Sequence, residues 1–311
     1  MNELNRNQVN FYEITEKEES QRLDNLLIKI LKGVPKSHIY KIIRNGEVRI
    51  NKSRADASTK VEIGDSIRIP PIRIATTEEK NNIPKTTFPV LFEDDYYLII
   101  DKPAGTACHG GSGVSFGVIE QLRQNLDHKF LELAHRLDKE TSGILILAKK
   151  RNALIKLQEL MKSNLMVKEY YALGIGVIPD NKRNVKLPIF KYTTKSGERK
   201  VKIDHENGQF SHTIFTVKER FKEFTLLSAS LQTGRTHQIR IHLQSIGYPI
   251  AGDEKYGDFA SNDLLQKKGL KRMFLHAYHI KFIHPITEKN IEINSELPPP
   301  LKAFINKLRE E

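Results

Sequence analysis

Along RLDNLLIKILKG (22–33), apolar side chains recur at Leu23, Leu26, Leu27, Ile30 and Leu31. This i, i+3, i+4, i+7, i+8 stripe predicts an amphipathic helix, with Gly33 placed to end it. A second helix is predicted from Pro35 to about Arg44, opened by a proline suited to a first helical position. It would bury Ile39, Ile42 and Ile43 and turn Lys36, Ser37, Lys41 and Arg44 to solvent. Asn45-Gly46 then leads into EVRIN, where Val48 and Ile50 alternate with charge as in a half-buried strand. VEIGDSIRIP (61–70) reads as a hairpin about Gly64-Asp65. The first twenty residues are polar and are expected to form a frayed lead-in, and the Thr-, Lys-, Asn- and Pro-rich stretch 71–87 a linker.

The pattern changes at Phe88. YYLIID (96–101) and ILILA (144–148) are continuous apolar runs, typical of strands covered on both faces. RNALIKLQELMKSN (151–164) reads as a helix, HTIFTVKERF and EFTLLSASL as paired antiparallel strands, and residues from about Pro300 to Lys307 as the last helix. The elements show no regular βαβ rhythm. The expected class is therefore α+β, with a small first domain at 21–70 and a larger one at 88–311 built on a mixed, mainly antiparallel sheet.

Two domains suit 311 residues. The longest apolar runs are five residues, against the about 20 of a membrane-spanning helix, and the N-terminus offers no apolar core for a signal peptide. One cysteine, Cys108, excludes an intramolecular disulfide framework and a cysteine-rich metal cluster. A reduced, cytoplasmic protein is expected. Its net charge of +12 acquires meaning from its distribution: residues 21–70 hold 11 Lys/Arg against 5 Asp/Glu, half of the surplus. That local basic patch makes nucleic acid the leading partner.

Phosphate-loop, dinucleotide and His-Glu-x-x-His signatures are absent. Gly-Gly-Ser-Gly at 110–113 reads as a flexible loop before it reads as a phosphate cradle. His276 and His279, three apart on a strand, face opposite ways and make a poor metal pair. Three segments carry more. In AHRLDKETSGILILAKK (134–150), Asp138 sits in a loop just before a buried strand, beside His135, Arg136, Lys139 and Glu140. A turn-capping Asp138 with Arg136 as a surface partner is the bland alternative. In VKEYYALGIG (167–176), alternation puts Lys168, Tyr170 and Ala172 on one face and Tyr171 on the other; either core packing or a ring offered to a base fits. In LQTGRTHQIRIHLQSIG (231–247), Ile239, Leu243 and Ile246 form a helical stripe, leaving Arg235, His237, Arg240 and His242 for other faces. A solvated surface fits those four; an inward Arg240 would need an acidic partner.

HRLDKETSG (135–143) resembles the central motif of the RluA-type ribosomal large-subunit pseudouridine synthases, His-Arg-Leu-Asp-x-x-Thr-Ser-Gly. LIIDKPAG (98–105), KEYYALGIG (168–176), TGRTHQIRIH (233–242) and LHAYHIKFIHP (275–285) resemble its other signatures, in order, over residues 88–305. Residues 21–70 resemble the alpha-L RNA-binding module that often precedes this catalytic domain. HGGSGVSFGVIEQLR (109–123) and SGERKV (196–201) look most like the RluC branch, as does Ala107-Cys108-His109-Gly110 in place of the family's common Val-His-Pro.

The resemblance implies isomerisation of specific uridines to pseudouridine in 23S ribosomal RNA. The uracil N1–C1′ bond breaks and the turned base rejoins through C5, with no redox change and no cofactor or metal. It assigns the catalytic carboxylate to Asp138, with three routes open: attack at C1′, attack at C6, or removal of a ribose proton. It pairs Arg240 with that aspartate, sets Arg136 near the space of a flipped nucleotide and stacks Tyr170 on the uracil. Lys36, Ser37, Lys41 and Arg44 would be RNA contacts of the basic module. The implied partner is large-subunit ribosomal RNA or a ribosome-assembly intermediate, with no membrane, no protein partner and a monomeric chain. A non-catalytic assembly factor clamping RNA with the same surface is the alternative; it would not require Asp138, Tyr170 and Arg240 together. An RNA methyltransferase would need a cofactor loop that is not apparent.

Overall fold

The computed structural model describes residues 8–16, 18–31, 34–72, 87–110, 116–125, 130–194 and 198–311. The chain divides into two compact units, Met1–Asn82 and Ile83–Glu311. No helix among the described residues is long and apolar enough to cross a membrane.

In the first unit, β1 (Asn10–Glu13), β2 (Arg49–Ile50), β3 (Ser53–Arg54) and β4 (Ser66–Ile69) form an antiparallel sheet in the order β1–β4–β2–β3. Helices α1 (Leu23–Ile30) and α2 (Lys36–Arg44) supply Leu23, Leu26, Leu27, Ile39, Ile42 and Ile43 to a core completed by Val48, Ile67 and Ile69. Pro35 stands at the N-cap of α2 in an extended conformation, one position before the expected one. Gly33 lies outside the described residues.

Two expectations are corrected here. The lead-in is not frayed throughout: Asn10–Glu13 is a paired strand, and Ile14 is buried in the core. Residues 61–70 do not make a hairpin. Gly64 N–H donates to the Ile14 carbonyl and Ile14 N–H to that of Asp65, so the turn closes on the N-terminal strand and β4 pairs with β1. In the expected first arm Val61 is buried but Ile63 is exposed. Of the expected linker, residues 73–86 lie outside the described residues, while Ile72 is buried in the first unit's core.

The second unit is built on β5 (Val90–Glu93), β6 (Tyr97–Lys102), β7 (Glu132–Leu133), β8 (Ser142–Ala148), β9 (Val167–Ile175), β10 (Lys182–Lys186), β13 (His212–Arg220), β14 (Phe224–Leu231), β15 (Leu275–Ile283) and β16 (Asn290–Asn294). The order is β10–β13–β14–β9–β15–β8–β6–β5, with β16 on β15 and β7 on β8. Every pair is antiparallel except β15 with β8, so the α+β class with a mixed, mainly antiparallel sheet holds. A separate ribbon joins β11 (Ile189–Thr193) to β12 (Arg199–Ile203).

The continuous apolar runs have the expected cause. Leu98, Ile100, Leu145 and Leu147 pack on one face with α3 (Val118–Asn125) and α5 (Gln238–Ser245). Tyr97, Ile99, Ile144 and Ile146 pack on the other with α4 (Arg151–Lys162). The closing helix (Pro299–Glu310) starts one residue before and ends three after the expected span. Gly143 adopts φ +110° at the β8–β15 crossing, where any β-carbon would overlap the Ala277 carbonyl; the motif glycine is what lets these two strands pair.

Candidate active site

Asp138 lies in the loop between β7 and β8, and that loop is held from below. Cys108 Sγ accepts the Leu137 N–H and donates to the Leu137 carbonyl, each at 3.3 Å. Lys102, fully buried, spends its ammonium on the carbonyls of Pro103 (2.8 Å), Thr106 (2.8 Å) and Lys139 (3.2 Å). Burial pushes that ammonium down to about 8. The two anchors flank Asp138 in sequence and leave its side chain 28% exposed.

Arg240 is the hub. Its Nη1 donates to Asp138 Oδ2 at 3.0 Å, while Nε and Nη2 grip Asp253 Oδ2 and Oδ1, both at 2.7 Å. Asp253 is almost wholly buried and also accepts the N–H groups of Lys255 and Tyr256. Burial opposes charge on both partners, yet the Asp253 hydrogen bonds raise the guanidinium's pKa, and Arg240 holds the Asp253 carboxyl below the usual carboxylate range. A planar fork meeting a carboxylate on two edges fixes Arg240 before Asp138 is considered. Two carboxylates on one guanidinium leave the trio at a formal −1.

Of the four residues that a solvated surface would also have fitted, Arg235 is exposed and His237 half-buried, whereas Arg240 and His242 are buried, as is the whole run from Gln238 to Leu243. Helix α5 is enclosed because its second face packs on the ribbon, Ile241 against Ile189, Val201 and Tyr256. Ile246, the third member of the expected stripe, is only partly buried. His237 precedes the helix in a left-handed conformation (φ 53°, ψ 25°), its Nδ1 2.7 Å from Tyr256 Oη and its Nε2 3.8 Å from Asp138 Oδ2.

Tyr170, on β9, is buried beside Ala172 in the cluster under α5. Burial first, and then the charge of Asp138, raises its phenol pKa, so the ring stays protonated at neutral pH. Tyr171 stacks instead on Tyr278, centroids 3.8 Å apart, as the alternation required. Arg136 is exposed on the Asp138 loop and forms no ion pair among the described residues. Lys36, Ser37, Lys41 and Arg44 are all exposed on α2 of the first unit, where Arg44 lines a groove with Tyr40 and Arg54. Residues 111–113 of the Gly-Gly-Ser-Gly stretch and 196–197 of SGERKV lie outside the described residues. Asp253, His237, Tyr256, Lys102, Cys108 and Arg54 were not foreseen as parts of these sites. The demand of Arg240 for an acid was the one signal pointing to Asp253.

Three histidines around this scaffold are neutral parts. His135 Nε2 accepts the Ile146 N–H at 3.1 Å, His242 sits between Thr213 and Ser211, and His276 between Ser142 and Ser295. Burial pushes each down to about 4. The unfolded chain, with histidines near 6.5, therefore binds more protons between those values. Stability is expected to be full above about pH 6.5 and to fall as pH drops toward 4, each histidine adding up to about 1.4 kcal/mol per pH unit. Melting temperatures followed by circular dichroism from pH 7.5 to 4.5 check this; a flat profile would contradict it.

A family described as RNA pseudouridylate synthase matches residues 96–245, and one described as S4 domain matches residues 21–67. Ribosomal large subunit pseudouridine synthase C of Pasteurella multocida (strain Pm70) is 47% identical over 305 residues, covering 96% of this chain and 93% of its own. The Escherichia coli (strain K12) protein of the same name is 47% identical over 305 residues, covering 95% of each chain. Among solved structures, Human RNA Pseudouridylate Synthase Domain Containing 4 superposes with a TM-score of 0.59 at 26% identity, over 71% of this chain and 93% of that one.

Proposed function

The chain belongs to the RluA-type family of RNA pseudouridylate synthases, and from that premise we propose that it converts specific uridines of large-subunit ribosomal RNA to pseudouridine with Asp138 as its catalytic carboxylate. The observation that carries the assignment to Asp138 is its hydrogen bond to an Arg240 already clamped by Asp253. A guanidinium fixed in this way holds the Asp138 oxygen in one place by a charge-assisted hydrogen bond. The isomerisation breaks N1–C1′, turns the base and forms C5–C1′, with the C5 proton lost and one regained at N1. Tyr170, protonated and beside Asp138, offers a ring face to the base, and exposed Arg136 can occupy the space vacated by a flipped nucleotide.

Mapping ribosomal RNA by carbodiimide treatment and reverse transcription, with and without the protein, tests the activity and identifies the uridines. New stops on large-subunit RNA are expected; none on any RNA would remove the proposal.

The first unit supplies backbone affinity in this reading. Replacing Lys36, Lys41 and Arg44 together by Ala is expected to weaken RNA binding and to reduce the slope of log K against log salt by about 2–3, at roughly 0.7–0.9 per phosphate contact. A filter-binding titration over 50–300 mM salt measures it, and an unchanged slope would take RNA off this face.

A further inference from the structure

His237 occupies a backbone conformation that a non-glycine residue adopts only when its surroundings hold it there. What holds it is on the ribbon side of the site. Val201 N–H donates to Tyr256 Oη at 3.0 Å, and the phenol lies 2.7 Å from His237 Nδ1, its ring edge-on to the imidazole. Tyr256 Oη already accepts from Val201, and we assign its hydrogen to the contact with Nδ1; a neutral imidazole accepting there carries its own hydrogen on Nε2. Burial, followed by the opposing pull of Asp138 and the push of Arg240, lowers the pKa of this ring and favours that neutral form.

Nε2–H faces Asp138 Oδ2 at 3.8 Å, beyond hydrogen-bond length, and has no partner within it among the described residues. The side chain retains 14% exposure, and that of Asp138 28%. An oriented donor is thus left unspent next to the reacting carboxylate. Three donor groups of Arg240, by contrast, are committed to the two aspartates.

We propose that His237 Nε2–H donates a hydrogen bond to the uracil of the target uridine as the N1–C1′ bond breaks. This rests on the reading of Asp138 given above. The electron pair of that bond passes to the base, where the negative charge spreads over N1 and the carbonyl oxygens; the hydrogen stays on Nε2, and no proton is transferred. The need is electrostatic. On each of the three routes Asp138 gives up its charge as the base takes it on, while the donors of Arg240 stay aimed at the two aspartates; the anionic base therefore calls for a donor outside the trio, fixed before the charge appears. Tyr256 and the Val201 amide make the donor rigid, and the ribbon thereby has a direct part in the chemistry.

The test separates a substrate donor from a structural residue. His237→Asn suits the left-handed backbone but is too short to reach the base, whereas His237→Gln has the reach and a neutral N–H. At saturating RNA, single-turnover rates are expected to fall about 100-fold for His237→Asn and His237→Phe, with RNA affinity within twofold of the parent, and His237→Gln to recover at least tenfold. Tyr256→Phe, which leaves the ring and removes the orienting hydroxyl, is expected to fall between. Equal rates for the Gln and Asn variants, a loss confined to RNA affinity, or a His237→Asn rate within threefold of the parent would each overturn the proposal. Should His237→Phe fail to fold, the comparison of Gln with Asn decides alone. Asp138→Asn run alongside keeps the two readings apart: activity retained there removes the assignment of Asp138, whatever His237 does.

Discussion

Asp138→Asn is expected to lower the single-turnover rate of pseudouridine formation by at least about ten-thousandfold while leaving RNA affinity within about twofold. The substitution is isosteric, and an amide oxygen can still accept from Arg240 Nη1, whose hold on Asp253 does not depend on Asp138. The loop keeps its anchors as well, since Cys108 grips the backbone of Leu137 and Lys102 that of Lys139. What disappears is the anionic oxygen that all three chemical routes require. The trio moves from −1 to neutral, a change that does not repel a polyanion, so weaker RNA binding has no electrostatic cause. Release of tritium from C5 of labelled RNA measures the rate, and filter binding the affinity. A variant retaining more than about 1% of the rate would remove the carboxylate mechanism.

Much of this site was legible because its parts lie in contiguous stretches with strong local signals. Asp138 precedes a run of apolar residues typical of a covered strand, and HRLDKETSG, KEYYALGIG and TGRTHQIRIH contribute Asp138, Tyr170 and Arg240. The partner of Arg240 was legible only as a need. Asp253 stands in GDEKYGD, with no periodicity to place it, and beyond the stretch 96–245 that the family match spans. Helix α5 left two readings open for a related reason: period alone cannot reveal whether its polar residues meet water or, as here, the β11–β12 ribbon. Similarly, β1 went unseen because a four-residue strand of polar and aromatic residues is stabilised by its long-range partner β4, not by its own pattern. Lys102 and Cys108 show the same limit: a lysine spent on three carbonyls and a thiol bracing a loop are tertiary facts.

The Arg240–Asp253 pair separates stability from chemistry, because its two ends do different things. Arg240→Met removes the cation from a carboxylate whose side chain is 1% exposed and which keeps only the amides of Lys255 and Tyr256. Breaking a buried pair from one side costs about 3–5 kcal/mol, which for a chain of this size corresponds to a melting temperature lower by roughly 10 °C. Asp253→Asn introduced into that background removes the stranded charge while keeping an acceptor for the two amides, so most of the lost stability is expected to return. Activity is not, because Asp138 still lacks the guanidinium that aims it. Arg240→Lys should resemble the Met variant in rate, since an ammonium cannot grip Asp253 on two edges and reach Asp138 as well. Calorimetry and the tritium-release assay on the single and double variants provide both readouts. A double variant that regains stability without activity is the outcome that follows from this geometry. Recovery of both would make Arg240 a structural counter-ion with no part in the reaction, and a stable Arg240→Met protein would mean that Asp253 is not charged where it lies.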